Sequence, residues 1–258
     1  MTEEKTTQWQ QLLTEAVSKP GSISSAYSVF WNYSCGNQIL AWSLCTLRGI
    51  EVGPLASYKK WKGLGRQVQK GSKGISLCMP VTYKRTETDA DGNEVDKSFS
   101  RFIYRKNWFV LSQTDGADYE PDPIPDWDRA TALEALSVTE IPFDLVDGNV
   151  QGFAHAHTIA INPVAKHPQK TTFHELGHIL LGHTEEIVSD SEILPRSLKE
   201  AEAESVALIC LESLELPGAE LCRGYIQDWF SGAEIPERSA QKIFKAADQI
   251  LKSGRNTR

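Results

Sequence analysis

Apolar positions along this 258-residue chain follow two rhythms, and the changes between them divide it into parts. Helical spacing predicts helices over residues 9–17 and 33–47, the second carrying Ile39, Leu40, Leu44 and Leu47. A short helix is expected at 57–64. Residues 74–86 and 98–113 are β-rich and flank a polar turn at 89–94, which predicts a long hairpin. Beyond residue 127 the pattern predicts a helix at 129–136 and strands at 143–146 and 153–161. Four helices then follow: one around 171–181, one at 198–211, and two near 219–230 and 237–252. Between the halves, Pro121, Pro123 and Pro125 alternate with acidic residues, the composition of a stiff extended linker. The order is that of an α+β protein. It has a mixed helix and β-hairpin domain at 1–116, a linker at 117–127 and a second domain at 128–258.

Charge sharpens this division. The chain carries a net charge of −7, but residues 1–125 hold 15 Lys and Arg against 13 Asp and Glu, and residues 126–258 hold 12 against 21. Nine basic residues and a single acid, Glu51, lie between Arg48 and Arg85. A basic stretch in an acidic protein points to a local polyanion site, although the same charges would also make an ordinary solvated face. No apolar run is long enough to cross a bilayer, and the polar start is unlike a secretory leader. Five scattered cysteines without a C-x-x-C pair predict neither a disulfide framework nor a thiolate metal site, and they fit a reducing cytoplasm.

The strongest chemical signal is His174-Glu175-Leu176-Gly177-His178, an H-E-x-x-H sequence. On a helix, positions i and i+4 share a face, so both imidazoles can reach one ion. Glu175 flanks that face and can take a proton from a bound water. Gly182 offers a helix stop. A zinc site with an open position needs a third protein ligand. The helix at 198–211 supplies candidates. Glu204 is the chosen ligand, with Glu200 either the fallback or an outer acceptor for a ligand histidine. Glu202 points the other way and is expected on a solvated surface. His183 lies nine residues after His174, one short of the metzincin spacing, and is expected just past the helix end, exposed or lining the site. A carboxylate brought by a second helix to H-E-x-x-H is the gluzincin arrangement. Zn²⁺ is the expected ion, with another divalent cation such as Mn²⁺ as the alternative. His155 and His157 alternate on the expected strand at 153–161. With Tyr225 they are candidates for contacting substrate, and none is chosen.

In the N-terminal half, residues 58–75 mix cations, Tyr58, Trp61 and glycines. Cations answer phosphates, flat rings can stack on unpaired bases, and glycines let backbone N–H groups approach an anion. No groove-reading helix is visible, so single strands fit better than duplex readout. A tryptophan such as Trp61 is more often a core residue than a stacking platform.

Three blocks carry a family resemblance. Tyr33-Ser34-Cys35-Gly36-Asn37-Gln38-Ile39-Leu40 resembles the YS-x-x-NQ-x-L signature of ArdC antirestriction proteins, departing from it at Gly36. The block from Trp61 to Ile75 resembles their W-x-x-LGR-x-V-x-KG-x-KG-I element, and Phe109 to Gly116 their VF-x-VSQT-x-G element. The resemblance spans most of residues 25–210. It implies a plasmid- or phage-borne protein whose N-terminal domain binds single-stranded DNA and whose C-terminal domain is a gluzincin-like metallopeptidase. Such a protein would guard incoming DNA against restriction, with a protein of the restriction machinery as its expected substrate. The nucleic-acid contacts it implies are Tyr33, Asn37, Tyr58, Lys59, Trp61, Lys62, Arg66, Lys70 and Lys73. The metal ligands are His174, His178 and Glu204, with Glu175 catalytic. A non-enzymatic single-strand shield with a structural metal is the alternative.

Overall fold

The computed structural model describes residues 8–88, 94–144, 149–184, 194–230 and 232–255. The chain opens with helices α1 (Trp9–Ser18), α2 (Ser22–Phe30) and α3 (Cys35–Leu47). Strand β1 (Leu55–Ser57), helix α4 (Tyr58–Gly63) and strand β2 (Arg66–Val68) follow. Next come β3 (Ile75–Thr88), β4 (Glu94–Val110), a 3-10 turn at Leu111–Gln113 and β5 (Thr114–Gly116). The remainder holds α5 (Arg129–Ala135), β6 (Thr139–Glu140), β7 (Gly152–His155) and β8 (Thr158–Ile161). Helices α6 (Pro168–Leu180), α7 (Arg196–Ser213), α8 (Ala219–Phe230) and α9 (Glu237–Ser253) close the chain.

These elements form two compact units, residues 40–121 and residues 1–39 with 122–258. The division departs from the expected boundaries at 116 and 128, because the first helices find their apolar partners at the far end of the sequence. α1 packs on α8 and α9, and α2 packs on α7. Leu12, Leu13, Ala16 and Val17 of α1 are buried there. Both ends of α1 are also tied to those late helices. The Trp9 and Gln10 N–H groups donate to the Glu237 carboxylate at the start of α9, at 3.1 and 2.9 Å. A negative charge at a helix N-terminus satisfies donors that the helix itself cannot. At the other end, the Arg223 guanidinium of α8 donates to the Ala16 and Val17 carbonyls and pairs with Glu212 of α7. The departure from the signature at Gly36 has a local cause: the Trp9 ring lies over its Cα, where a side chain would collide.

In the unit formed by residues 40–121, β1, β4 and β3 make an antiparallel sheet in that order. The expected long hairpin is present, from Ile75 paired with Trp108 to Thr88 paired with Glu94, and its turn at 89–93 lies outside the described residues. A second ladder joins β2 to β5.

The other unit holds a small sheet in the order β6-β8-β7, with β6 parallel and β7 antiparallel to β8. The single strand expected at 153–161 is therefore two strands that reverse at Ala156 and His157, with Ala156 at φ 47°. His155 and His157 are exposed at that reversal. In the strand expected at 143–146, Phe143 and Asp144 are irregular and the rest lies outside the described residues. α6 packs on β7 and β8 on one side and on α7 on the other. α9 buries Ala240, Ile243, Phe244, Ala247, Ile250 and Leu251, an i, i+3, i+4, i+7 stripe. No helix among the described residues is long and apolar enough to cross a membrane. All five cysteines are buried and free.

Candidate metal centre

Pro168 occupies the first turn of α6, where a missing N–H costs nothing, and the thirteen-residue helix stops at Leu180. Its end is a Schellman turn. Gly182 is left-handed at φ 75°, its N–H donates to the Ile179 carbonyl at 3.0 Å, and the His183 N–H donates to the His178 carbonyl at 2.9 Å. His174 and His178 lie one turn apart on the face turned to α7. Gly177 lies against Ala203 and Val206, so the two backbones approach closely at this point. α6 and α7 run in opposite directions, because Lys170 meets Glu204 while His174 and His178 meet Glu200.

Three donor atoms converge. His174 Nε2 and His178 Nε2 are 3.1 Å apart, and Glu200 Oε2 is 3.3 Å from the first and 3.7 Å from the second. Four-coordinate zinc with bonds of about 2.0–2.1 Å holds its ligand atoms roughly 3.3 Å apart. The triangle therefore fits one ion with a position to spare. It is also partly open: the two rings are 15% exposed and Glu200 is 32% exposed. Hydrogen bonding to His174 and His178 holds the Glu200 carboxyl well below the usual carboxylate range.

This reverses the expected roles of the two acids. Glu204, the chosen ligand, lies one turn further along α7. Its Oε1 accepts from Lys170 Nζ at 2.6 Å and stands 3.5 Å from His174 Nδ1, behind the ring rather than before it. The sequence places Glu200 and Glu204 on one face but does not fix the axial offset between the helices. Glu202 is a correction too, whereas His183 lies just past the helix end as expected, buried beside His178. Glu202 is 1% exposed rather than solvated, and its Oε2 is 2.8 Å from His183 Nε2, while His183 Nδ1 is 3.0 Å from His178 Nδ1. Burial pushes the Glu202 carboxyl up, but His183 and Ser239 outweigh it and hold it below its ordinary value. Burial lowers the basicity of the His183 ring, against the pull of Glu202.

Glu175 is 7% exposed and lines a cleft of about 570 Å³ with Gly152, Lys170, His174, Glu204 and Tyr225. Desolvation raises its proton affinity, opposed by the charges of His174 and His178. Of the three candidates for contacting substrate, Tyr225 lines this cleft, while His155 and His157 sit on the exposed β7–β8 turn.

The expected nucleic-acid contacts separate into groups. Tyr58, Lys59, Lys62, Lys70 and Lys73 are exposed in the unit formed by residues 40–121. Trp61 is fully buried, donates its Nε1–H to the Phe109 carbonyl at 2.7 Å and packs edge-on against Tyr119, so it cannot stack on a base. Trp61→Phe would remove that donor and is expected to cost about 1–3 kcal/mol in chemical denaturation. A stacking role would instead predict unchanged stability. Arg66 is also spent internally: its guanidinium donates to Thr114 Oγ1 and the Thr114 carbonyl, both at 2.8 Å, and to the Ala117 carbonyl. It clamps β2 to β5. Tyr33 and Asn37 belong to the other unit. Asn37 is buried, and the Tyr33 carbonyl accepts from Gln38 Nε2 at 2.8 Å.

Residues 1–109 match the model of the N-terminal domain of anti-restriction factor ArdC. The fold matches the crystal structure of the antirestriction ArdC protein from plasmid R388 in its metal-free form. The TM-score is 0.55 at 20% identity, covering 95% of this chain and 97% of that one. Residues 1–109 are therefore an ArdC-type N-terminal domain. The Mn(II)-bound structure of the R388 protein gives a TM-score of 0.52 at 21% identity, covering 97% of this chain and 99% of that one. Curated protein sequences contain no significant match to the chain.

The features missed in the sequence are the Glu200 placement, the His183–Glu202 contact and the commitments of Trp61 and Arg66. One signal was available for His183: a glycine at the helix stop predicts that the next residue folds back onto the last turn.

Proposed function

We propose that this chain is an ArdC-type antirestriction protein that binds single-stranded DNA and carries a gluzincin-like metallopeptidase site for a divalent cation. The carrying observation is the triangle of His174 Nε2, His178 Nε2 and Glu200 Oε2 beside a buried Glu175 at the wall of an open cleft. Two imidazoles and a carboxylate suit Zn²⁺, and Mn²⁺ accepts the same donors. The Mn(II)-bound form of the R388 protein supports a divalent ion here. When bound, such an ion polarises a carbonyl and lowers the pKa of a coordinated water. Glu175, desolvated and so eager for a proton, receives one from water and hands it to the leaving amine of a cut peptide. Lys170 is held by Glu204 at the cleft wall, where its charge can meet a substrate carbonyl or carboxylate. The substrate class is a protein met at entering DNA. Lys59, Lys62, Lys70 and Lys73 supply the phosphate contacts, and Tyr58, 41% exposed, the stacking surface.

The test is protection of unmodified plasmid DNA entering a restricting host that expresses the protein. Wild type is expected to protect, and both Glu175→Gln and the four-lysine alanine variant are expected to fail. In vitro, the four-lysine variant should bind single strands with a log–log salt slope smaller by about 3, at roughly 0.7 per lost phosphate contact. Protection that survives Glu175→Gln would overturn the peptidase reading and leave a single-strand coat. An unchanged salt slope would remove the lysines from the interface.

A further inference from the structure

We infer that His183, Glu202 and the last helix form a buried relay that presets His178 as a metal ligand, which makes His183 and Glu202 positioning residues. The inference rests on the proposal that His174, His178 and Glu200 hold a divalent cation.

The geometry follows from the Schellman turn. That turn directs the chain back so that the His183 side chain, 3% exposed, lies beside the His178 ring. The two rings meet through their Nδ1 atoms at 3.0 Å, on the edge of His178 away from Glu200. His183 Nε2 then reaches Glu202 Oε2 at 2.8 Å, and Ser239 of α9 acts on the same carboxylate.

With Glu202 ionised and His183 neutral, hydrogen-bond inventory orders the protons. An ionised carboxylate only accepts, so His183 Nε2 must carry the hydrogen. A neutral ring protonated there presents a bare Nδ1, so His178 Nδ1 must be the donor of the next bond. His178 is then left with its lone pair on Nε2, the atom that faces Glu200 and His174. The relay thus selects the tautomer and orientation a metal needs before any metal arrives. Partners of this kind typically alter metal affinity 10–100-fold. The two ligand rings are held differently: Glu204 and Lys170 stand behind His174 within the cleft, whereas the relay behind His178 runs into the core.

The test is Zn²⁺ affinity of the full chain, by competition with a chromophoric chelator, for wild type, His183→Leu, Glu202→Gln and the buried control Ser213→Ala. His183→Leu is expected to weaken binding 10–100-fold and Glu202→Gln by less, since glutamine keeps an acceptor but loses the charge. The control should change less than threefold. Histidine side-chain ¹H–¹⁵N correlation spectra of zinc-loaded wild type should show His178 protonated at Nδ1 and His183 at Nε2. This reading does not depend on whether a variant folds. Variants that bind within threefold of wild type, or a His183 protonated at Nδ1 in the loaded protein, would overturn the relay while the metal site stands. Wild type that binds no Zn²⁺ would overturn both.

Discussion

Glu200→Ala is expected to lower Zn²⁺ affinity on the order of 100-fold or more, while Glu204→Ala lowers it on the order of tenfold. Structural zinc in four-ligand peptides binds with about 10–16 kcal/mol, so one ligand carries roughly 2.5–4 kcal/mol, and each 1.4 kcal/mol is a factor of ten. Glu200 Oε2 lies within 3.7 Å of both ligand nitrogens. Glu204 touches the centre only through the far side of His174, and its stronger partner is Lys170. At 3.5 Å Glu204 makes no hydrogen bond to that ring, so its loss falls at the lower end of the 10–100-fold range seen for outer partners. Chelator competition on the two variants decides the matter. The opposite ranking would mean that α7 stands one turn away from the offset described, with Glu204 in the triangle.

Arg223→Ala is expected to destabilise the unit containing the metal centre by about 3–5 kcal/mol, the cost of breaking a buried ion pair by removing one member. Arg223 is 7% exposed and serves three partners, the Ala16 and Val17 carbonyls and Glu212. Its removal strands a charge on α7 and uncaps the last turn of α1. Whole domains have only about 5–15 kcal/mol of stability, so the loss would be a large part of the total. Urea unfolding followed by far-UV circular dichroism should show a lower midpoint. A double variant with Glu212→Gln should recover part of the loss, because the stranded charge goes too. A stability loss below about 1 kcal/mol would show that water replaces the guanidinium at little cost.

The sequence was legible where chemistry depends on neighbours along the chain. His174, Glu175 and His178 sit together because helical periodicity alone puts them there, and Gly182 ends the helix because it is left-handed. The long hairpin from Ile75 to Val110 could be read for the same reason. What was not legible depends on contacts between distant segments. Glu200 and Glu204 are equivalent on a helical wheel, and only the packing of Gly177 against Ala203 distinguishes them. Glu202 is acidic and flanked by acids, so it reads as surface, yet α9 and His183 cover it. Arg66 and Trp61 stand in a basic, aromatic stretch and read as ligands for nucleic acid, but both are spent holding the fold around them. α1 and α2 read as part of the first domain because they come first in the chain. Their apolar faces belong to helices more than 150 residues later.

That last arrangement has a consequence for how the protein is made. The unit carrying the metal centre is assembled from both ends of the chain, with residues 40–121 inserted between them. At about 5–20 residues per second, ribosomes would keep α1 and α2 waiting on the order of ten seconds or more for α7, α8 and α9. The inserted unit, whose contacts are contiguous in sequence, can fold first and emerge complete. The early helices meanwhile expose Leu12, Leu13, Val17 and Phe30, the apolar surface that holdase chaperones recognise. A nascent chain truncated before α9 would hold both histidines of the motif and still lack the scaffold that closes around α1.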